Sequence, residues 1–214
     1  MNPFPLILSS PSGGGKTTIA RELLNRRNDV GYSVSCTTRA PRPGEVDGRD
    51  YYFLSREAFL EKRDAGEFAE SAEVHGRLYG TLKAEIDRVL TSGKHVLLDI
   101  DVQGARQIQK AFPQVVTVFV LPPSGEILLD RLRSRKSETP QQLVVRLHSA
   151  LDELRAVDEY EYVVVNDELD EAVRRVGSIL DAEVVSQARV AGLRQNVESL
   201  IRHLESEVDH QSKS

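Results

Sequence analysis

The stretch "LILSSPSGGGKTTIARELL", residues 6–24, most constrains what this chain can fold into. A short apolar run enters a glycine-rich turn, which leads into a Lys-Thr-Thr helix start with Ile19, Leu23 and Leu24 on one face. Residues 10–17, "SPSGGGKT", fit the phosphate-loop pattern G-x-x-x-x-G-K-[ST], with Ser10 at the first glycine position. In such a turn, glycines let backbone N–H groups converge on phosphate oxygens, and the helix N-terminus adds partial positive charge. Ser12, Gly13, Gly14, Gly15, Lys16, Thr17 and Thr18 are the candidate residues for a nucleoside triphosphate. Lys16 is suited to the β- and γ-phosphates, and Thr17 supplies a hydroxyl for Mg²⁺.

The rest of the chain reads as an α/β core. Apolar runs at 6–9, 95–100, 115–121 and 162–166 alternate with helical periodicities over Lys16–Arg26 and near 103–111, 125–134, 140–157 and from Glu168 onward. Strands that are apolar throughout, separated by helices, imply a parallel sheet covered on both faces. Between Ser33 and Leu82 the rhythm changes to strand-like pieces, "YSVSCTTR", "DYYFLS" and "EFAESAEV", with a short helix near 56–65 ending at Gly66. Pro41, Pro43, Gly44 and Gly48 mark a long connection within this piece, which reads as an inserted β-rich lobe. A polar joint at 131–147 separates two helices, and Thr139-Pro140 has the chemistry of a helix start. Four of the six residues from Arg131 to Lys136 are basic. Arg131 and Arg135, four apart, share a helix face and can reach one ligand. The segment from Asp181 is charged and helical in pattern, with Leu193, Val197, Leu200, Ile201 and Leu204 on one stripe suited to docking or self-association, and its last residues read as disordered.

"LLDID", residues 97–101, ends an apolar strand with Asp99 and Asp101, two positions apart and so expected on one side. At the C-terminal edge of a parallel sheet such carboxylates face the ligand crevice, and one of them suits the Mg²⁺ water shell. The other reading is that they cap the following helix.

Composition narrows the classes further. The 214 residues, 40% hydrophobic and 29% charged, suit one folded domain with inserted lobes. A net charge of -5 argues against a general nucleic-acid-binding surface. The longest apolar stretch, "VVTVFVL", is far short of the roughly 20 residues that span a bilayer. With no secretory-signal pattern at the N-terminus, a cytoplasmic protein with no membrane partner is expected. Cys36, the sole cysteine, excludes an intrachain disulfide and a cysteine-rich metal site.

Four segments, "SVSCTTRAPRPGEVDGRDYYF" (33–53), "EFAESAEVHGRLYGT" (67–81), "LLDIDVQGA" (97–105) and "VVNDEL" (164–169), resemble the guanylate kinase family in order, and with the P-loop the likeness runs to about residue 185. It implies a P-loop kinase core whose parallel sheet is flanked by helices, with an inserted β-rich GMP-binding lobe and a helical lid. The expected division is 1–34, 83–125 and 156–185 for the core, 35–82 for the lobe, 126–155 for the lid and 186–214 for a helical tail. The implied activity is Mg²⁺-dependent transfer of the ATP γ-phosphoryl group to GMP. The resemblance further implies that Arg39, Arg42, Tyr51 and Tyr79 hold the GMP phosphate and that Ser35, Glu70 and Thr81 surround the guanine. It puts Asp101 beside GMP, Asp99 with Thr17 at the metal, and Lys16, Arg131, Arg135 and Arg146 around the moving phosphoryl group, with Asn166 on the adenine side. Residue chemistry agrees: guanidinium forks match phosphate oxygens, and a carboxylate accepts from guanine N1–H and N2–H₂ together. Where the family has R-G-R-G in its lid, this chain has "RSRK" (133–136). Two other classes remain open at this stage, a guanylate-kinase-like protein-binding module without catalysis and a related kinase with a sugar-phosphate acceptor. The substrates expected are ATP and GMP, and the oligomeric state is left open.

Overall fold

Strand β1 (Pro5–Ser9) is buried at every position, so both faces need cover and both edges need backbone partners. The computed structural model, which describes residues 2–74, 76–134 and 140–212, supplies both. After β1 come α1 (Lys16–Arg26), β2 (Val30–Tyr32), β3 (Cys36–Thr37), β4 (Tyr52–Phe53), α2 (Arg56–Asp64), β5 (Phe68–Val74), β6 (Arg77–Leu82) and α3 (Lys83–Thr91). They are followed by β7 (His95–Asp99), α4 (Val102–Ala111), β8 (Val116–Leu121), α5 (Gly125–Arg133), α6 (Pro140–Arg155), β9 (Tyr162–Val165), α7 (Leu169–Val184) and α8 (Leu193–Gln211).

The first sheet is parallel, in the order β2-β7-β1-β8-β9. β7 lies along one edge of β1 from Pro5↔Val96 to Leu8↔Asp99, and β8 along the other from Leu6↔Val116 to Ser9↔Phe119. Chain order reverses across β1, which makes the carboxyl ends of β1 and β7 the natural ligand crevice. On one face Ile7, Val96, Leu98 and Phe119 pack with Ile86 and Val89 of α3 and with Val102, Ala105 and Ile108 of α4. Leu6, Leu8, Leu97, Val118 and Val120 alternate with these and are equally buried.

A second sheet, β4-β3-β6-β5, has β4 parallel to β3 and the other pairs antiparallel. Its small core is Cys36, Phe59 and Leu78, with Phe59 stacked on Phe68 at 4.4 Å between ring centroids. The α4 side chain of Gln107 ties this sheet to the first: its amide donates to Ser71 O at 2.9 Å, and Ser71 N donates back to Oε1 at 3.1 Å. Helices α5 and α6 meet through Leu128, Leu132 and Ala150.

Pro3–Gly177 forms one compact unit, and the segment from Ser178 onward another. Within the latter, Arg189 Nε donates to Glu183 Oε2 at 3.0 Å, and α8 presents Val197, Leu200, Ile201 and Leu204 as exposed side chains. The stripe is as expected, and α8 runs to Gln211; Lys213 and Ser214, among the last residues expected to be disordered, lie outside the described residues. Among the described residues no helix is long and apolar enough to cross a membrane. Thr139, the expected cap of α6, lies outside the described residues.

Three elements escape the sequence reading. α3 starts after Leu82 with no capping side chain, so it lacks a local start signal. β2 is a three-residue strand around Gly31, and a Cβ there would lie 2.5 Å from Val89 Cγ1, so the glycine serves helix contact and not a turn. β6 follows β5 through a turn at Gly76 with φ of 74°, too short a break to separate two strands by pattern.

Phe59→Ala should remove most of the second sheet's core and cost about 3–5 kcal/mol. Thermal or urea unfolding measures it, and a change under about 1 kcal/mol would mean that this small core contributes little to stability.

Candidate functional site

The loop after β1 is shaped by its glycines. Gly13 and Gly15 have φ of 88° and 95°, and Gly14 N donates to Pro11 O at 2.8 Å. A Cβ on Gly14 would lie 2.7 Å from Ser10 Cβ, so Ser10 fits at the first loop position because Gly14 leaves it room. Gly15 is the N-cap of α1 and has no side chain to cap it, which leaves first-turn N–H groups to water or an anion.

Asp99, at the end of β7, joins the two polar side chains that open α1. Its Oδ2 accepts from Thr17 Oγ1 at 2.7 Å, and Oδ1 pairs with Lys16 Nζ at 3.2 Å. Burial, the largest single influence, works against the Lys16 charge, but Asp99 together with Tyr51 and Glu153 outweighs it, so the ammonium is held above its ordinary pKa. Thr18 is exposed.

Side chains from α5, α6 and the end of β9 fix the same loop. Arg131 Nη1 donates to the carbonyls of Gly13 and Gly14 at 3.3 and 3.5 Å, and Asn166 Nδ2 donates to Gly14 O at 3.0 Å. Asn166 thus braces the loop. Arg146 is buried, donating to Leu132 O at 3.0 Å and to Ser12 Oγ at 3.2 Å. Glu153 accepts from Ser12 N at 2.8 Å. Arg135 lies outside the described residues.

On the second sheet, Glu70 of β5 faces Thr81 of β6 in register, and Thr81 Oγ1 donates to Glu70 Oε1 at 2.7 Å. Continuing the β3–β6 register by one residue sets Ser35 opposite Thr81. All three are buried. Gly104 in the first turn of α4 is the floor under Glu70, since a Cβ there would lie 2.6 Å from Oε2. Burial pushes the Glu70 carboxyl up to about 7; the Asp101 charge adds to this, and the Thr81 bonds oppose it.

Asp101 corrects one expectation. The chain leaves β7 at Asp99, so strand alternation does not extend to residue 101. Asp101 is instead the N-cap of α4, with Oδ1 accepting from Gly104 N at 2.8 Å, the capping alternative.

The phosphate candidates of this sheet gather around aromatic rings. Arg39 lies 5.3 Å over the Tyr51 ring, and Tyr51 meets Tyr79 edge-on at 6.2 Å. Glu45 takes both Arg39 guanidinium nitrogens at 2.9 Å and accepts from Arg42 N at 2.7 Å, while the Arg42 residue is exposed. Tyr51 also feels the loop's charges: burial and then Asp99 raise its pKa, and Lys16 opposes them. Of the residues that hold the site, sequence reasoning missed Glu45, Gln107 and Glu153. Glu45 left a signal as part of the family-like run 33–53, without a role, and Glu153 left one two helical turns after Arg146 on α6; Gln107 left none.

Comparison with known proteins agrees with the order of these features along the chain. The guanylate kinase family model matches residues 2–183. A guanylate kinase of Paramagnetospirillum magneticum is 48% identical over 196 residues, 91% of this chain and 92% of its own length. One from Nitrosospira multiformis is 46% identical over 183 residues, 86% of this chain and 87% of its own. The crystal structure of guanylate kinase from Anaplasma phagocytophilum superposes with a TM-score of 0.77 at 38% identity, covering 92% of this chain and 94% of that one. A family model that matches residues 2–183, with relatives 46–48% identical over most of their own length, means that this chain belongs to the guanylate kinase family.

Proposed function

We infer that the chain transfers the γ-phosphoryl group of ATP to GMP, giving ADP and GDP, with the donor on the loop after β1 and the acceptor on the second sheet. The observation that carries the acceptor assignment is the buried Glu70–Thr81 pair, a carboxylate and a hydroxyl with no salt-bridge partner among the described residues. Guanine presents two N–H donors on its N1/N2 edge, and an ionised Glu70 accepts both, while Ser35 and Thr81 hydroxyls suit O6 or N7. Adenine would set a ring-nitrogen lone pair against that carboxylate. A site built this way rejects the wrong base by about 10⁴-fold.

Residues 35–82 act as the acceptor lobe and 126–155 as the lid over the core, with the tail from 186 outside the chemistry. Arg39, Arg42, Tyr51 and Tyr79 receive the GMP phosphate; Arg39 exchanges its Glu45 contacts for phosphate oxygens, and Asp101 lies on the acceptor side beside Glu70. The GMP phosphate oxygen attacks the γ-phosphorus in line. Positioning and charge stabilisation suffice for this reaction, so no side chain need become a covalent nucleophile. Lys16, Arg131, Arg135 and Arg146 neutralise the charge on the moving group. Gly13, Gly14, Gly15, Thr18 and Ser12 cradle the donor phosphates. Asn166, expected near adenine, acts through the loop by holding the Gly14 carbonyl.

The oxygen donors at Thr17 and Asp99 fit Mg²⁺, a hard cation that takes few protein ligands and keeps several waters. Thr17 and Asp99 would hold it. Its chemistry there is to offset charge on the donor phosphates. Meanwhile Lys16, released from Asp99, turns to the phosphates.

Two outcomes test these roles. Lys16→Met should fold normally and lower kcat by roughly 10³-fold in a coupled ADP-release assay. Near-normal turnover of the folded variant would remove Lys16 from the reaction.

The second outcome is a pH profile. Guanine needs the ionised form of Glu70, whose carboxyl titrates near 7 in the free protein, so acceptor affinity should be level above that pH. It should fall by up to about tenfold for each pH unit below it. Glu70→Gln should weaken GMP binding and flatten that slope, with ATP affinity nearly unchanged. The GMP phosphate titrates alike with both proteins, so the difference between their profiles isolates Glu70. Parallel profiles, or AMP used as readily as GMP, would overturn the assignment.

A further inference from the structure

Helix α6 grips one loop residue from two sides. Arg146 and Glu153 stand two turns apart on it, and both reach Ser12, the guanidinium through Oγ at 3.2 Å and the carboxylate through the backbone N–H at 2.8 Å. Ser12 is the third residue of the phosphate-loop pattern, and its N–H belongs to the set that such a loop turns toward phosphate oxygens. A carboxylate oxygen is the same kind of acceptor, negatively charged and bound by a charge-assisted hydrogen bond.

The surroundings suit an anion that is held but exchangeable. Lys16 and Arg146 favour the ionised form of Glu153, whereas burial, the largest influence, and the Asp101 charge push its carboxyl above the ordinary range. Its stay beside the loop therefore carries a desolvation cost that a phosphate arriving with its own counter-charges can turn to advantage.

We propose that Glu153 is an internal stand-in for phosphate: in the nucleotide-free protein it occupies the Ser12 N–H, and the donor nucleotide must displace it, moving α6 as it enters. This rests on reading the loop as the donor's phosphate cradle. Two anions cannot share that N–H, so the loop is either closed on Glu153 or open to nucleotide. Apparent donor affinity is reduced by the fraction of time it is closed. Displacement also frees Arg146, held at the same residue, to face the incoming phosphates. Glu153 is thus a positioning residue that couples loop occupancy to the placement of α6.

Calorimetric titration of the full chain with inorganic pyrophosphate, ADP and, separately, GMP tests this. Glu153→Gln keeps the side chain's size and removes its charge, and Glu153→Ala removes the competing group. Both should bind pyrophosphate and ADP about 10-fold tighter, the size of one charge-assisted hydrogen bond withdrawn from competition, with GMP affinity unchanged. A purely structural role predicts the opposite sign, since loosening α6 would weaken the site. Equal or weaker pyrophosphate and ADP binding in the folded variants overturns the proposal. Wild-type protein that binds neither ligand overturns the cradle reading along with it. In wild-type protein free of ligand, the Ser12 amide should exchange slowly with solvent, and rapid exchange there also overturns the proposal, even if neither variant folds.

Discussion

A strand buried on both faces has no solvent for its backbone, so both its edges must be paired. β1 meets this with β7 on one side and β8 on the other, and the consequences for the site are direct. The register Leu8↔Asp99 brings the end of β7 level with the start of the phosphate loop, and from there Asp99 reaches Lys16 and Thr17 together. β9, paired outside β8, ends where Asn166 can hold the Gly14 carbonyl. Three segments far apart in sequence converge on one loop because a parallel sheet puts all its carboxyl ends at one edge.

The second sheet depends on that edge through α4. Asp101 caps the helix, Gly104 in its first turn leaves room for the Glu70 carboxylate, and Gln107 one turn on binds the backbone of β5 beside it. A side chain at position 104 would collide with Glu70, so this glycine answers to packing and not to a turn. The cap, the floor and the clamp fix where the buried Glu70 carboxylate lies, relative to a helix that starts three residues after Asp99.

What the sequence made legible follows from how local each signal is. The loop was readable because strand, glycines, Lys16-Thr17 and helix lie within twenty residues, β1, β7 and β8 because strands buried on both faces are apolar runs, and β9, at the sheet edge with Val163 exposed, because its sequence is an apolar run all the same. α3 and β2 were not readable: one lacks a cap, and the other is three residues long around a glycine whose reason is Val89, nearly sixty positions away. At the site, residues were legible where a family pattern spans them, as for Ser35, Arg39, Glu70 and Thr81. Their holders were not. A family-like run spans Glu45 and helical spacing links Glu153 to Arg146, but neither says what these side chains hold, and only the fold shows that Glu45, Gln107 and Glu153 meet Arg39, Ser71 and Ser12. For Asp101 the period-two rule failed because the strand ends at Asp99, and a helix cap took over two residues later.

The two proposed nucleotide sites are built from different materials, and this sets how each would respond to change. The donor loop works largely through backbone N–H groups, so its specificity is for phosphate and its weak points are glycines: Gly15 has a φ of 95°, and any Cβ there would also run into the Asn166 amide. The proposed acceptor sheet would work through side chains, with the proposed base readers Glu70 and Thr81 on the paired strands β5 and β6 and the proposed phosphate ligands Arg39 and Arg42 on the long loop after β3. On that proposal base selection would rest on buried positions, where an unpaired polar group is costly, and phosphate capture on a loop whose Arg39 is held by Glu45. Tyr51 lies between them, its ring against Arg39 and Tyr79 and its hydroxyl subject to the Lys16–Asp99 pair. The charges of the loop thus bear on one half-buried phenol of the second sheet.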